Sequence, residues 1–264
     1  MDIWHISDLH MGKEEAEGGI AFGEIPKADV AVIIGDLSSD MMANLRWCAK
    51  VVRPHMPVVY VPGNHDFHFR GIIQASAEGR KYASRLGIHY LDGDAAVVAG
   101  VRFVGGTFWS DFAVDVYQDG RSPEAVVKAN MDASLGKADF KRIMHCEKVG
   151  EVLKPWHTAA IHDRTKGFIR RTLSRAYREG PTVVVTHHGP LPDVSQPGFE
   201  NSTTHASYTS DQSSMMKGYA PEMWLFGHIH NAFNRTVGKT KVWCNPRGRV
   251  HEDTGFDWGL VHAL

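Results

Sequence analysis

Residues 30–36 read Val-Ala-Val-Ile-Ile-Gly-Asp. Five consecutive apolar residues, with no polar residue between them, predict a short strand that is covered on both faces. Strands of this kind lie in the centre of α/β sheets. Gly35 and Asp36 then end the strand and place a carboxylate just beyond its carboxyl end.

The same pattern, an apolar run followed by polar side chains, occurs four more times. The runs are residues 3–6, 58–61, 182–185 and 224–226. The polar residues that follow them are, in order, Asp8 and His10, then Asn64, His65 and Asp66, then His187 and His188, then His228 and His230. Loops at the carboxyl ends of strands in α/β proteins are close in space and collect ligands. The chain therefore predicts an α/β fold with one polar site built from five loops.

The rest of the chain supplies helices and closing strands. Helices are predicted over 41–52, 74–86 and 157–179, and short strands over 88–91, 95–99, 101–105, 234–237, 241–244 and 260–263. Residues from about 107 to 155 mix aromatic residues such as Tyr117 with polar turns, and helix is predicted there over 123–129 and 137–152. Because this segment has no apolar core of its own, we interpret it as a partly helical insertion in a single domain of residues 1–264.

Seven of the polar residues are of types that bind metal ions: Asp8, His10, Asp36, Asn64, His187, His228 and His230. Each alone has an ordinary explanation, because an Asp can cap a helix, an Asn can close a turn and two His can pack as a partly buried pair. Their shared position beyond predicted strands favours one site. Asp36 could bridge two cations, and this mixture of oxygen and nitrogen ligands suits Mn, Fe, Zn or Co better than Mg or Ca.

Charge and cysteine content limit the classes of protein to which the chain can belong. With 29 basic and 30 acidic residues the formal charge is −1, so no overall basic field attracts nucleic acid or acidic lipid. The three cysteines are widely spaced, which favours a reducing compartment. No basic and apolar leader precedes the first strand, and no apolar run reaches about 18 residues, so we predict a cytoplasmic protein without a membrane span.

The five motifs resemble those of the calcineurin-like metallophosphoesterases. They are Asp8-Leu9-His10, Gly35-Asp36, Gly63-Asn64-His65-Asp66, His187 after a strand, and Gly227-His228-Ile229-His230. The resemblance covers residues 8–230 and implies a four-layer α/β/β/α sandwich with two facing mixed β-sheets. It also implies two divalent metal ions, with manganese favoured and Fe, Zn, Ni and Co as alternatives.

The resemblance further implies a role for each motif residue. Asp8, His10 and His230 would hold the first metal. Asn64, His187 and His228 would hold the second, and Asp36 would bridge the two. His65 would assist departure of the leaving group, and Asp66 would orient His65 by a hydrogen bond. Many family members have a further acidic or Asn residue soon after the Gly-Asp motif, where this chain has Ser38 and Ser39, so the support of that motif is left open.

The implied activity is hydrolysis of phosphate mono- or diesters of a small molecule by metal-activated water. A nuclease is the first alternative, and the neutral net charge and the lack of aromatic residues among basic ones disfavour it. A non-catalytic metal-binding scaffold is the second, and it is disfavoured because no motif residue is missing. The choice between mono- and diester, the metal pair and the oligomeric state are left open.

Further residues have two interpretations each. His162 and His188 could pack or support the site. Trp109 could pack under the insertion or line the site, and Arg247 could contact a phosphate or form an internal ion pair. Residues 191–214 form a long loop rich in Pro, Ser, Thr and Gly that could face the substrate. The other residues left open are His68, His205, Tyr208, Ser210 and Asp211.

Overall fold

The computed structural model describes residues 1–12, 23–114, 120–199 and 202–264. One of its two large sheets has five strands: Asp2–Ser7 (β1), Val30–Ile34 (β2), Val58–Val61 (β3), His89–Tyr90 (β4) and Val261–Ala263 (β13). They lie in the order β13-β1-β2-β3-β4. β1 to β4 are parallel, and β13 pairs with β1 in the antiparallel direction, so the sheet is mixed.

The other large sheet has six strands: Asp94–Val98 (β5), Val101–Gly106 (β6), Thr182–Thr186 (β9), Met223–Phe226 (β10), Phe233–Val237 (β11) and Thr240–Cys244 (β12). They lie in the order β11-β12-β10-β9-β6-β5. The four central strands are parallel, and both edge strands are antiparallel to their neighbours. A separate two-stranded sheet pairs Met144–Cys146 (β7) with Glu151–Val152 (β8).

Helices lie outside both large sheets. They are Met41–Trp47 (α1), which continues as a π-helical turn over Cys48–Val52, Ile72–Leu86 (α2), Pro123–Ser134 (α3), Asp139–Arg142 (α4), Pro155–Leu173 (α5) and Ser213–Tyr219 (α6). Short 3₁₀ turns occupy His65–Phe67, Glu147–Val149 and His205–Ser207. Gly87 ends α2 with a left-handed backbone (φ 68°), as its position after the predicted helix indicated.

The alternating side chains of β2 explain why its five residues are all apolar. Val30, Val32 and Ile34 lie in a core shared with Phe103, Val185 and Leu225 of the other sheet. Ala31 and Ile33 lie in a second core with residues of α1 and α2. A third core joins the outer face of the six-stranded sheet to α5 and α6. The predicted four-layer α/β/β/α sandwich of two facing mixed sheets is confirmed.

Three helix predictions are wrong in extent. The helix predicted over 123–129 extends to Ser134. Within residues 137–152 only Asp139–Arg142 is α-helical, and the chain then forms the β7–β8 hairpin, which contains the 3₁₀ turn and which Gly150 turns with a φ of 64°. The helix predicted over 157–179 begins at Pro155 and ends at Leu173. Arg102 of β6 donates a hydrogen bond to the carbonyl of Arg175 (3.1 Å), so the sheet binds the backbone just beyond the helix.

The segment interpreted as an insertion packs on the core below the five-stranded sheet. Phe112, Phe140, Ile143 and Leu153 belong to the same buried cluster as Trp4 of β1. Tyr117 lies outside the described residues. Among the described residues, no helix combines the length and apolar content that crossing a membrane requires.

Candidate metal centre

The carboxyl ends of β1, β2, β3, β9 and β10 meet at one edge of the sandwich. The loops that follow them carry all seven predicted ligands, and the structure brings these seven side chains together. Asp8, Asp36, Asn64 and His187 are buried, while His10, His228 and His230 are partly accessible. Strand pairing within each sheet, together with the packing of the two sheets on each other, therefore gathers residues that are up to 222 positions apart, as the interval from Asp8 to His230 shows.

Asp8, His10 and His230 form one group of ligand atoms. Nε2 of His10 is 3.0 Å from Nε2 of His230, and Oδ1 of Asp8 is 3.7 Å from Nε2 of His230 and 4.0 Å from Nε2 of His10. These three atoms lie within 4.8 Å of one another. Such a triangle of one oxygen and two nitrogens can hold one cation.

Asp36, His187 and His228 form a second group within the same limit of 4.8 Å. Nε2 of His187 is 3.4 Å from Oδ2 of Asp36 and 3.0 Å from Oδ1 of Asn64, so the Asn64 carbonyl belongs to this group. Asp36 is also grouped with His10 and His65. Asp36 therefore lies between the two groups, which is the position that a bridging carboxylate needs.

Four of the seven residues have a left-handed backbone that non-glycine residues rarely adopt. The φ angles are 53° at Asp8, 43° at His10, 55° at Asp36 and 65° at His228. Backbone hydrogen bonds hold these turns, from Asp8 to the carbonyl of Gly35 (3.1 Å) and from His10 to that of Asp36 (3.0 Å). Strained backbone of this kind persists where the surrounding structure fixes it, and it concentrates at functional sites.

Two glycines of the motifs are needed for close approach to carboxylates. A Cβ at Gly227 would lie 2.7 Å from Oδ2 of Asp8, the atom that accepts a hydrogen bond from the backbone N–H of His228 (2.9 Å). A Cβ at Gly63 would overlap Oδ1 of Asp36. The motif glycines therefore leave room for the ligands of neighbouring loops.

Hydrogen bonds fix which nitrogen of two imidazoles faces the site. Nδ1 of His187 donates to the carbonyl of Ile34 (3.0 Å), and Nδ1 of His230 donates to Oε2 of Glu252 (2.6 Å). Because these acceptors hold the proton on Nδ1, the lone pair of a neutral ring is on Nε2 and faces the ligand group. Glu252 was not predicted from the sequence, since it lies in an irregular segment without a motif.

Asp139 is a second residue that the sequence did not indicate. Its Oδ1 accepts hydrogen bonds from Nδ2 of Asn64 (2.9 Å) and from Nε2 of His68 (3.0 Å). Burial alone would raise the pKa of Asp139, but the His68 hydrogen bond and the charge of Lys137 hold that pKa well below its usual range. Asp139 thus orients the Asn64 amide with its oxygen towards His187. Asp139 was not predicted as a site residue because it lies in the segment 137–152, for which a single helix was predicted.

The expected hydrogen bond between Asp66 and His65 is not formed. Asp66 is buried and accepts from the backbone N–H groups of Asp36 (3.1 Å) and Gly63 (2.7 Å), and from the side chains of Asn44 (2.9 Å) and Tyr60. Burial and the nearby Asp36 raise the pKa of Asp66 to about 6. Asp66 therefore joins two motif loops rather than orienting His65.

The serines that replace the acidic residue after Gly35-Asp36 have identifiable contacts. Oγ of Ser39 is 3.4 Å from Nδ1 of His65. Ser38 donates to Oδ1 of Asn44 (2.6 Å), and Asn44 in turn donates to Asp66. Nε2 of His65 is 3.9 Å from Oδ2 of Asp36, and the His65 side chain is partly exposed at the edge of the ligand cluster. His65 belongs neither to the ligand group around Asp8 nor to the one around His187. Its accessible side chain is therefore free to contact a bound substrate.

Burial and the two carboxylates shift the pKa values of the clustered histidines in opposite directions. Burial would lower the pKa of His187, but the charge of Asp36 and their hydrogen bond raise it to about 9. Burial lowers the pKa of His10 to about 4, against the pull of Asp36 and Asp8. Oδ1 of Asp8 and Nε2 of His228 are buried and have no hydrogen-bond partner. Buried polar atoms of this kind are rare unless a ligand completes them, so the residues present fit two divalent cations.

The histidines left open pack around the centre rather than in it. The ring of His188 stacks on that of His228 at 4.2 Å, and its Nδ1 donates to the carbonyl of Thr107 (3.1 Å). His162, which is buried on α5, donates from Nδ1 to the carbonyl of Phe108 (3.1 Å). His68 contacts Asp139, as described above, and Nε2 of His205 donates to Pro192 (2.8 Å).

The other open residues divide between the site and the scaffold. The Tyr208 ring lies 5.0 Å from that of His228 and lines the site. Ser210 is buried, and Asp211 accepts a hydrogen bond from the backbone N–H of Ser213, the first residue of α6 (2.8 Å). Trp109 packs on His188 at 5.1 Å between ring centroids. Arg247 donates to the carbonyl of Leu9 (2.6 Å), so it stabilises the loop that follows β1.

Comparisons with known proteins show which family and which fold the chain resembles. The sequence model of the calcineurin-like phosphoesterase family matches residues 1–232. A phosphopantetheinyl hydrolase from Mycobacterium tuberculosis has a similar structure, with a TM-score of 0.69, 17% identity and coverage of 93% of this chain and 89% of that chain. A dimetal phosphatase from Danio rerio has a TM-score of 0.46 and 10% identity, with 92% of this chain and 86% of that chain covered. No curated protein matches the chain at a significant level.

At 17% identity, the likeness to the phosphopantetheinyl hydrolase shows the fold alone. The family match, in contrast, extends over most of the chain and includes all five motifs. The groups of metal-binding side chains lie where those motifs meet. The chain belongs to the calcineurin-like phosphoesterase family and is a phosphoester hydrolase.

Proposed function

We propose that this chain hydrolyses phosphate esters of small molecules at a dinuclear metal centre. Asp8, His10 and His230 would hold one cation, Asn64, His187 and His228 would hold the other, and Asp36 would be shared by both. The observation that carries the proposal is the placement of Asp36 between the groups around Asp8 and His187. When bound, two such cations make water a strong nucleophile near neutral pH and offset the charge of the phosphoryl oxygens.

The metal pair we propose is manganese, with Fe, Zn, Ni and Co as the alternatives. The support is the ligand set, in which imidazole nitrogens and carboxylate or amide oxygens are mixed and cysteine sulfur is absent from the seven residues. Cys244 is buried nearby, and burial raises the pKa of its thiol well above the usual value, so it stays protonated.

His65 is proposed to assist departure of the leaving group by donating a hydrogen bond to the leaving oxygen. The Ser39 hydroxyl can donate to Nδ1 of His65, which leaves the ring proton on Nε2, the atom closer to Asp36 and the cavity. From there it stabilises the negative charge that develops on the leaving oxygen. Burial lowers the pKa of His65 despite the opposing charge of Asp36, so the ring is neutral near pH 7 and carries a single proton.

The test is hydrolysis by metal-stripped protein reloaded with Mn²⁺, Zn²⁺, Ni²⁺ or Mg²⁺. The substrates are p-nitrophenyl phosphate and bis-p-nitrophenyl phosphate, and the His10→Ala protein is run beside the wild type. We expect metal-dependent hydrolysis that His10→Ala abolishes, with two ions bound per wild-type chain. Two bound ions without turnover of any ester would contradict the proposed activity.

A test of the role of His65 needs a substrate whose leaving group is difficult to expel. We expect His65→Ala to lower the rate on phenyl phosphate by about 100-fold or more and to affect p-nitrophenyl phosphate less, because the more basic phenolate gains more from a hydrogen-bond donor than p-nitrophenolate does. His89→Ala, at an exposed position on β4, is the matched control. Equal losses on both esters would assign His65 to another role.

A further inference from the structure

The wall of the candidate site contains a lysine that no motif includes. An open cavity of about 290 Å³ is lined by predicted ligands and His65, and Lys137, Tyr208 and Arg249 complete its wall. Lys137 and Arg249 are the two cationic side chains among these lining residues. Lys137 follows α3, in the segment interpreted as an insertion, and so comes from outside the strand-end loops.

The ammonium of Lys137 is held in place by two neighbouring residues. Nζ donates to Oγ of Ser207 at 2.8 Å and lies 3.3 Å above the centroid of the Tyr208 ring. The same ring lies 5.0 Å from the ring of His228, so a single aromatic side chain separates the ammonium from a predicted ligand. Contact with an aromatic face stabilises the cation without neutralising it.

Lys137 has no carboxylate contact of its own. Within the described parts of the chain, no carboxylate oxygen lies within 4.0 Å of its Nζ, and the nearby Asp139 is engaged by Asn64 and His68. Burial lowers the pKa of Lys137 to about 8, although Asp139 opposes this effect. An ammonium has three donors, and Ser207 uses one of them. A partly desolvated cation without an ion pair is costly, and an anion entering the cavity would relieve that cost.

We propose that Lys137 binds a phosphoryl oxygen of the substrate and thereby favours phosphomonoesters over phosphodiesters. This inference rests on the proposed function of the same site. Near neutral pH a monoester carries close to two negative charges, because its second pKa is about 6, whereas a diester carries one. A fixed cation beside the metal centre stabilises the more highly charged group more strongly.

Two substrates with the same leaving group test this preference. We compare kcat/KM for p-nitrophenyl phosphate and bis-p-nitrophenyl phosphate in wild type, Lys137→Met and Lys137→Arg. The control is Lys141→Met, which removes an exposed lysine four residues further along. We expect Lys137→Met to lower kcat/KM about tenfold on the monoester and less than about threefold on the diester, because one charge-assisted contact is lost. Lys137→Arg should keep most of the monoester activity.

Equal losses on both esters in Lys137→Met, or no loss on either, would overturn the inference. Metal content and the thermal unfolding midpoint of each variant show whether a loss is due to damage to the fold. If Lys137→Met folded poorly, the ratio of kcat/KM on the two esters would be compared between Lys137→Arg and wild type. An unchanged ratio in Lys137→Arg supports a role for the positive charge.

Binding of inorganic phosphate gives a measurement that needs no turnover. Calorimetric titration of the manganese-loaded proteins should show a Kd that is about tenfold higher in Lys137→Met than in wild type, and unchanged in Lys141→Met. Should wild type hydrolyse neither ester, the proposed function fails while this titration still decides the role of Lys137. An unchanged Kd in Lys137→Met would overturn that role.

Discussion

Nδ1 of His230 and Oε2 of Glu252 are 2.6 Å apart, and this contact sets the direction in which His230 faces. A carboxylate only accepts hydrogen bonds, so the proton stays on Nδ1 and Nε2 is directed towards Asp8 and His10. Glu252 is itself fixed by the backbone N–H of Arg249 (2.7 Å) and by Gln196 (3.1 Å). Burial would raise the pKa of Glu252, but these hydrogen bonds and His230 lower it, so Glu252 is ionised near neutral pH.

Removal of this carboxylate should weaken one metal position and spare the other. We expect Glu252→Ala to lower the affinity for the more weakly held Mn²⁺ by about 10- to 100-fold, the range found for residues that orient metal ligands. Metal titration by calorimetry measures the change. Glu222→Ala is the matched control, because Glu222 is half-exposed and pairs with Lys241 (3.4 Å) away from the site. Identical titrations of Glu252→Ala and wild type would contradict the orienting role.

The central strands were predicted well because a strand that is buried on both faces needs a continuous run of apolar residues, which is visible in the sequence. The strands over 30–34 and 58–61 have the predicted bounds, since both faces of these runs meet a core. The loops after them were predictable for the same reason, because parallel strands deliver their carboxyl ends to one edge. The convergence of Asp8 and Asp36 followed from this topology alone, whereas that of His187, which follows a strand of the other sheet, also needs the two sheets to face each other.

Contacts between distant and irregular segments were not predictable. Asp139 meets Asn64 across 75 positions, and it lies where local helix preference conceals a short hairpin. Glu252 reaches His230 because the segment after β12 runs beside β1, with Arg247 donating to the carbonyl of Ser7 (3.0 Å). Neither contact has a periodic pattern or a motif spacing. Residues that orient ligands can therefore be identified only from the folded chain.

The motif that contains Gly227 packs closely on the motif that contains Asp8, so an added methyl group at Gly227 should reduce activity. A Cβ at Gly227 would lie 2.7 Å from Oδ2 of Asp8, closer than real Cβ atoms approach. We expect Gly227→Ala to displace Asp8 and to reduce hydrolysis by about 100-fold, because small displacements of catalytic groups cost that much. Steady-state rates on p-nitrophenyl phosphate measure this loss.

Gly218→Ala is the matched control for this substitution. Gly218 lies in α6, and a Cβ there would have open space around it, so Ala should leave activity unchanged and slightly raise the unfolding midpoint. If both alanine variants kept wild-type activity, the close approach of Gly227 to Asp8 would not matter for function.

A buried pair of histidines between β1 and β13 should make the stability of the metal-free protein depend on pH. Nε2 of His262 is 3.0 Å from Nδ1 of His5. Burial, with a smaller effect of Lys241, lowers the pKa of His262 to about 4, whereas an unfolded histidine has a pKa of about 6.5. Below pH 6.5 the unfolded chain therefore takes up a proton that the folded chain excludes. The stabilisation is complete above pH 6.5 and is lost as the pH falls towards 4. The full pKa difference corresponds to about 3 kcal/mol, which screening by solvent at this partly accessible ring reduces to roughly 2 kcal/mol. Urea unfolding of His262→Gln should show a shallower loss over this window than wild type, and His55→Gln, at an exposed position, should keep the wild-type slope. Parallel slopes in wild type and His262→Gln would show that this pair does not titrate on unfolding.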